Sequence, residues 1–378
     1  MPRNQLLHQL PTTALAFRGY NITNLGRTAE FLAHPVFGPI MREHLGAASG
    51  VAAEVLQRPV DLEQQVLSGQ EYTLEHYGEA LALVLAIEAA QLAILEKVFQ
   101  IDYRQAQFAF GFSLGEIGAV AAGGVLDFLS AMRIPLSLAD DCAALAHGVT
   151  LGVLFTRSRE LLLDDVQRLC LQVNQEGHGV VGISAQLAPN TLLVLGQQDT
   201  LDRLLARARE QLNVRVHLKK NDRLWPPVHT PIVWERQIPN RAAQQMHTLP
   251  LVLEAPRPPV FSLVTGSFGY TAVSARDLLY RWIDHPQRLW DAVYHTLASG
   301  ATTVLHLGPA PNIIPATFQR LSADVLSQTQ ESLSLRALSA AVRRQWLRRI
   351  LPERTALLRA PYVEQIILED WLLSHAPT

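Results

Sequence analysis

The segment Gly111-Phe112-Ser113-Leu114-Gly115 has the residue types and spacing for nucleophilic chemistry. A G-x-S-x-G run between a strand and a helix presents its serine on a sharp turn. The backbone N–H groups that follow open the helix and can hold an oxyanion as it forms. Such a serine needs a base to be nucleophilic near neutrality. Among thirteen histidines, His229 stands out, because Pro226, Pro227 and Pro231 restrict the backbone around it. A serine and a histidine of this kind would carry acyl transfer, the histidine moving the proton. The plainer readings are a turn serine that caps its helix and a loop histidine packed beside Trp225.

These residues need elements to hold them. Gln105–Phe110 is short, apolar and aromatic, which predicts a buried strand before the serine, and Leu114–Ala122 predicts the helix after it. Ala14–Phe17 predicts another strand, followed by the loop Arg18-Gly19-Tyr20-Asn21. Leu74–Phe99 predicts a long helix, apolar on most sides and therefore buried. From Val149 the texture changes to β-α-β-β-α-β: strands at Thr150–Phe155, Val180–Ala185, Thr191–Leu195 and Val214–Leu218, and helices at Arg159–Asn174 and Asp199–Leu212. That order is ferredoxin-like. The rest predicts a strand at Val260–Val264, helices near Ala275–Ile283 and Arg288–Ser299, and a strand at Thr303–Leu307.

The fold class expected is α/β, a large hydrolase-like domain with an inserted ferredoxin-like small domain. The large domain would comprise residues 12–148 and 221–322, the small one 149–220, and 323–378 a basic helical extension. Length and composition agree: 378 residues, 48% hydrophobic, make a large core. A formal net charge of −2 excludes a general polyanion binder. Two cysteines, Cys142 and Cys170, cannot form a four-cysteine zinc site or a disulfide framework, so no metal and a reducing cytoplasmic location are expected. Met1–Pro11 lacks a signal-peptide pattern, and no run of about 18 uninterrupted apolar residues marks a membrane span.

Four segments, in order, resemble the malonyl-CoA:acyl-carrier-protein transacylases and the acyltransferase domains of polyketide synthases. They are Phe17-Arg18-Gly19-Tyr20, Gly111–Glu116 with Ala122–Phe128, Pro227–Pro231, and Leu307-Gly308-Pro309. The resemblance spans about residues 12–320 and includes the small domain. It implies Ser113 as acyl-accepting nucleophile and His229 as base and acid, with no cofactor. It also implies an oxyanion hole from the backbone N–H groups of Leu114 and Tyr20, and a main-chain carbonyl near Arg288 orienting the histidine. The expected partners are acyl-CoA and acyl carrier protein.

The departures concern specificity. Both glutamines of the family's first loop are missing, and the histidine usual before the nucleophile is Phe112. The arginine that binds the malonyl carboxylate falls, counted without gaps, on Leu138; Arg133 lies more than a helical turn away. A buried carboxylate without its partner costs about 3–5 kcal/mol. At about 1.4 kcal/mol per decade, malonyl is disfavoured by roughly two to three and a half orders of magnitude. Phe112 and Leu138 are expected to line a pocket for an uncharged acyl chain. An acyl-thioester hydrolase and a non-catalytic carrier-binding paralogue are the alternatives. An ordinary α/β-hydrolase esterase explains the elbow but not the small domain.

Residues 333–360 hold seven arginines (Arg336, Arg343, Arg344, Arg348, Arg349, Arg354 and Arg359) against Glu353 alone. The bland expectation is a packed helix with a solvated basic face; the sharper one is a dock for an acidic carrier protein.

Overall fold

The computed structural model describes residues 1–157, 159–250, 252, 254–271, 273–329, 350 and 354–377. Among them, the strands are β1 (Thr13–Phe17), β2 (Phe108–Gly111), β3 (Val149–Thr156), β4 (Val181–Ala188), β5 (Thr191–Gln197), β6 (Val216–Asn221), β7 (Thr303–Leu307) and β8 (Glu364–Ile367). They form two sheets. The first is parallel, in the order β2-β1-β7-β8. The second is antiparallel, in the order β4-β5-β3-β6.

Every residue of β1 is buried, as a central parallel strand covered on both faces requires. Alternate side chains serve different cores. Leu15 and Phe17 join a cluster with the helix Tyr77–Lys97, whereas Ala14 and Ala16 join Phe108, Phe110, Phe261 and Trp290 on the other face. The segment Leu74–Lys97, which contains this helix, is apolar and long enough by composition to cross a membrane, but 89% of its apolar window is buried inside the protein. Its burial includes Glu88 and Gln91, both 0% exposed.

The second sheet carries the helices Leu163–Asn174 and Thr200–Gln211, whose apolar residues Val166, Leu169, Val173, Leu201, Leu204 and Ala208 share one cluster with the strands. This is the ferredoxin-like order read from the sequence, so the α/β fold class with a nested small sheet holds.

Two expectations need correction. Val260–Val264 is not a strand: only Val260 bridges Ala109 and Ser262 bridges Ser267, because Leu263 and Val264 give their N–H groups to Glu116 and Ser262 side chains. Residues 323–378 are also not simply an appended helix. The helix Ile313–Thr329 runs through the expected boundary, and β8 completes the edge of the parallel sheet beside β7. The helix Leu368–Ser374 then buries Leu368, Trp371 and Leu372 in the core beside Phe99, and Trp371 Nε1 donates to Met1 O at 2.7 Å. Most of the basic stretch, including Arg336, Arg343, Arg344, Arg348 and Arg349, lies outside the described residues. Of its two described arginines, Arg359 donates to Gly300 O at 2.9 Å and Arg354 sits over the Tyr294 ring.

Candidate active site

The end of β2, the elbow and the helix Leu114–Ala122 form one continuous unit. Ser113 sits at φ 56° and ψ −118°, a strained conformation for a residue with a Cβ. The flanking glycines make it attainable. A Cβ on Gly111 would lie 1.9 Å from Gly115 O, and one on Gly115 would lie 2.2 Å from Phe17 O. The helix can therefore start directly at the strand end only without these side chains.

His229 comes from the loop that follows the small sheet, also at positive φ, 67°. Its Nε2 lies 2.7 Å from Ser113 Oγ, and its Nδ1 lies 2.7 Å from the Trp282 carbonyl oxygen. That carbonyl accepts Nδ1–H, which leaves Nε2 as the acceptor for the serine proton. His229 N–H donates to Ile283 O at 2.6 Å, so the loop is zipped to segment 282–283 at two points. Burial pushes the imidazole down to about 4, offset in part by the Trp282 carbonyl and by Asp284. It is neutral, and so able to take a proton, throughout the physiological range.

The orienting carbonyl is thus that of Trp282 and not one at Arg288. Arg288 directs its main-chain N–H to Leu263 O at 2.8 Å and pairs its Nε with Asp291 at 2.6 Å. The displacement is physical: segment 282–283 lies within hydrogen-bond reach of the histidine loop, whereas the Arg288 carbonyl accepts Asp291 N–H at 3.1 Å in the first turn of the next helix, Leu289–Ala298. Trp282 contributes twice more, donating its indole N–H to Ser113 O at 2.8 Å and setting its ring edge-on to His229.

The adjacent Gln287 was not singled out from the sequence, yet it is fully buried and accepts the Ser113 N–H through Oε1 at 3.1 Å. Its own backbone pairs with β4, donating to Ser184 O and accepting from Gln186 N–H, both at 2.9 Å. Ser184 Oγ also donates to Val228 O at 3.2 Å. One strand of the small sheet therefore grips the segments on both sides of the serine–histidine pair. Glu116, one turn into the helix, accepts from Ser262 Oγ, Tyr270 OH and Leu263 N–H, at 2.6, 2.9 and 3.3 Å. Burial, only partly countered by these donors, raises its carboxyl to about 7.

The two expected oxyanion donors sit on either side of the elbow. Leu114 is the first residue of its helix, where the N–H has no intrahelical acceptor. Gly19 packs against the turn; a Cβ there would be 2.6 Å from Phe112 O and 3.4 Å from Ser113 Cβ. Tyr20 follows it, and neither Leu114 N–H nor Tyr20 N–H has a partner among the described residues.

The pair expected to line an acyl pocket is not brought together. Phe112 belongs to the core cluster of Ala16 and Phe110 on one face of the parallel sheet, and Leu138 to the cluster of Leu15 and Phe17 on the other. The aromatic side chains beside the elbow are Tyr20 against Tyr77, with ring centroids 4.8 Å apart, and Tyr20 against Trp225, 5.5 Å apart. The arginines around Leu138 are engaged elsewhere. Arg133 forks onto Glu54 at 2.6 and 3.0 Å, and Arg236 and Arg241 both pair with Asp141. Among the described residues no cluster of three or more His, Cys, Asp or Glu could hold a metal ion.

No family model matches this chain, and no curated protein matches it significantly. Solved structures do. FabD from Acinetobacter baumannii superposes with a TM-score of 0.63 at 18% identity, covering 80% of this chain and 89% of that one. The malonyl-CoA:acyl carrier protein transacylase of Xanthomonas oryzae gives 0.63 at 22% identity, covering 82% and 91%. A malonyl-transacylase solved in complex with its type II polyketide synthase acyl carrier protein gives 0.60 at 20% identity, covering 81% and 91%. At these identities the likeness establishes the fold over about four-fifths of this chain.

Proposed function

We propose that this protein is a serine-dependent acyltransferase that works on acyl thioesters, of CoA or of an acyl carrier protein, through an acyl-serine intermediate. The observation that carries this is the hydrogen-bonded chain Ser113 Oγ–His229 Nε2 and His229 Nδ1–Trp282 O at a strained elbow, at 2.7 Å in both links. Its partner chemistry is supported by the fold shared with transacylases of acyl carrier proteins. The reaction would belong to fatty-acid or polyketide assembly in the cytoplasm.

In the first half-reaction His229 Nε2 takes the Ser113 proton as Oγ bonds to the thioester carbonyl carbon. The oxyanion accepts from Leu114 N–H and Tyr20 N–H. Collapse breaks the C–S bond, and the imidazolium returns its proton to the leaving thiolate. In the second half-reaction a phosphopantetheine thiol follows the same path in reverse. A main-chain carbonyl, unlike a carboxylate, adds no full charge to stabilise the imidazolium. The protonated histidine is then short-lived and hands its proton on within each half-reaction.

The acyl group is uncharged on this reading: counted along the sequence without gaps, the family's carboxylate-binding arginine falls on Leu138, and Arg133, Arg236 and Arg241 are already paired with acids. Intact-protein mass spectrometry with acetyl, butyryl, hexanoyl and malonyl thioesters tests both points. The uncharged donors add an acyl mass that vanishes in Ser113→Ala, and malonyl labels at least about 100-fold more slowly. Equal labelling by malonyl refutes the specificity; absence of labelling by every thioester refutes the enzyme and favours a carrier-binding paralogue. Added carrier protein then separates transfer to its thiol from release of free acid, which would make the protein a thioester hydrolase.

A further inference from the structure

The residue that leads into the Gly19–Tyr20 peptide is an arginine that turns inward and is only 2% exposed. Its Nε donates to Gly19 O at 2.8 Å, its Nη2 to Asn24 Oδ1 at 2.9 Å, and its Nη1 to Thr23 O at 3.1 Å and to Pro309 O. The guanidinium thus closes the loop 18–24 on itself and ties it to the loop after β7. Carboxylates surround it. Glu88, fully buried, lies against Gly118 of the serine helix, where a Cβ would come 2.2 Å from its Oε2. Glu369 accepts from Ala310 N–H at 2.8 Å, and Glu71 from Asn24 N–H at 2.7 Å. Burial lowers the Arg18 guanidinium to about 10 against the attraction of Glu88, Glu369 and Glu71, so it stays charged at neutral pH.

The contact with Gly19 O has a consequence for the site. The carbonyl of Gly19 and the N–H of Tyr20 belong to one peptide unit. That unit is planar and trans, so the two point in opposite directions. Holding the carbonyl from the Arg18 side aims the N–H the other way, and Gly19 packs against Ser113. A cationic donor on the carbonyl also polarises the amide and strengthens its N–H as a donor. We infer that Arg18 is a positioning residue for acyl transfer: its guanidinium fixes the plane of the Gly19–Tyr20 peptide and so presents Tyr20 N–H as the second oxyanion donor. The inference rests on the acyl-serine reading above.

The test follows the acyl-serine carbonyl directly. Wild type, Arg18→Met and Arg18→Lys are acylated with a thioester labelled with ¹³C at the carbonyl. The infrared band of the acyl enzyme is recorded with the single-turnover acylation rate and the melting temperature. In Arg18→Met the acylation rate falls about 10- to 100-fold, with KM little changed. The carbonyl band moves to higher frequency as its donor is lost. Arg18→Lys keeps a charge but cannot fork to all four acceptors, so it folds better and still shows the shifted band. Methylguanidinium added to Arg18→Ala restores rate and band together. A folded Arg18→Met with wild-type rate and band overturns the inference, as does a rate loss that only tracks the unfolded fraction. If Arg18→Met does not fold, Arg18→Lys decides by the same two readouts. Acylation of wild type with unaltered variants defeats the role of Arg18 alone, whereas no acylation of wild type defeats the acyl-serine reading and this inference together.

Discussion

The two halves of the candidate site are built in different ways. The serine half is local: strand, turn and helix occupy residues 108–122 without a break, and two glycines let the backbone make the turn. The histidine half is assembled. His229 comes from one stretch of chain and Trp282 and Gln287 from another, held by hydrogen bonds of His229 to Trp282 and Ile283 carbonyls and of the Gln287 backbone to β4 of the small sheet. A local unit fails when its own residues change shape. An assembled one depends on surroundings that touch no substrate.

The sharpest way to break the comparison is to remove each half. Ser113→Ala should abolish the acyl-enzyme mass outright. His229→Ala should slow acylation by about four orders of magnitude or more, with the folded protein retained. If His229→Ala acylates at the wild-type rate, the histidine half is not part of the machinery.

Next in size is the elbow. Gly111→Ala drives a methyl into Gly115 O, inside the same unit, and should cost about 3 kcal/mol of stability, read as a lowered denaturant midpoint. An unaffected Gly111→Ala would show that the serine half is not locally constrained.

Smaller is the contrast between Trp282 and Arg288. Trp282→Phe removes the indole N–H from Ser113 O but leaves the carbonyl on His229 Nδ1, so acylation should fall about tenfold, worth one hydrogen bond. Arg288→Ala should change the rate less than Trp282→Phe, measured under the same single-turnover conditions. The reverse order would return the orienting role to Arg288.

The least drastic test is pH. With His229 pushed down to about 4, the acylation rate should be flat above about pH 5 and fall as the imidazole protonates near 4. A midpoint at the ordinary histidine value near 6.5 would contradict the burial. Stability carries the opposing signatures of the two halves. His229, lowered to about 4, binds fewer protons folded than unfolded between about 4 and 6.5, so it destabilises the fold as pH drops through that window, as does His306, buried in β7 and lowered likewise. Glu116, raised to about 7, binds more protons folded than unfolded between about 4.5 and 7, so its contribution is lost as pH rises. Glu116→Gln should therefore gain stability relative to wild type above pH 7, by denaturant titration at several pH values.

What could be read from the residues followed the same division. Leu114–Ala122 and β7 (Thr303–Leu307) were legible to the residue, and the β-α-β-β-α-β order of the small sheet was legible from its alternating pattern. Each depends on neighbours within a few positions. Trp282 was not legible as the histidine's partner, because every residue has a carbonyl and nothing in its type marks the one that is used. The inward roles of Gln287 and Arg18 are not legible for a related reason: nothing in a polar side chain marks it as buried until the packing around it is known. Val260–Val264 looked like a strand because its apolar residues suit one, but its backbone bonds go to Ala109, Ser267 and side chains. β8 was hidden behind the basic stretch that precedes it.

The sequence by itself determined the elbow, the candidate nucleophile and base, and the nested α/β plan, since periodicity, glycines and proline-bracketed loops act over short range. The tertiary structure alone decided which carbonyl holds the imidazole and which side chain meets the Ser113 N–H. It also decided that the C-terminal residues complete the parallel sheet and that Arg18 turns inward onto Gly19. Those are matters of which distant main-chain groups meet once the core has closed, and hydrogen bonds to a backbone shared by all twenty residue types leave no mark in the order of the side chains.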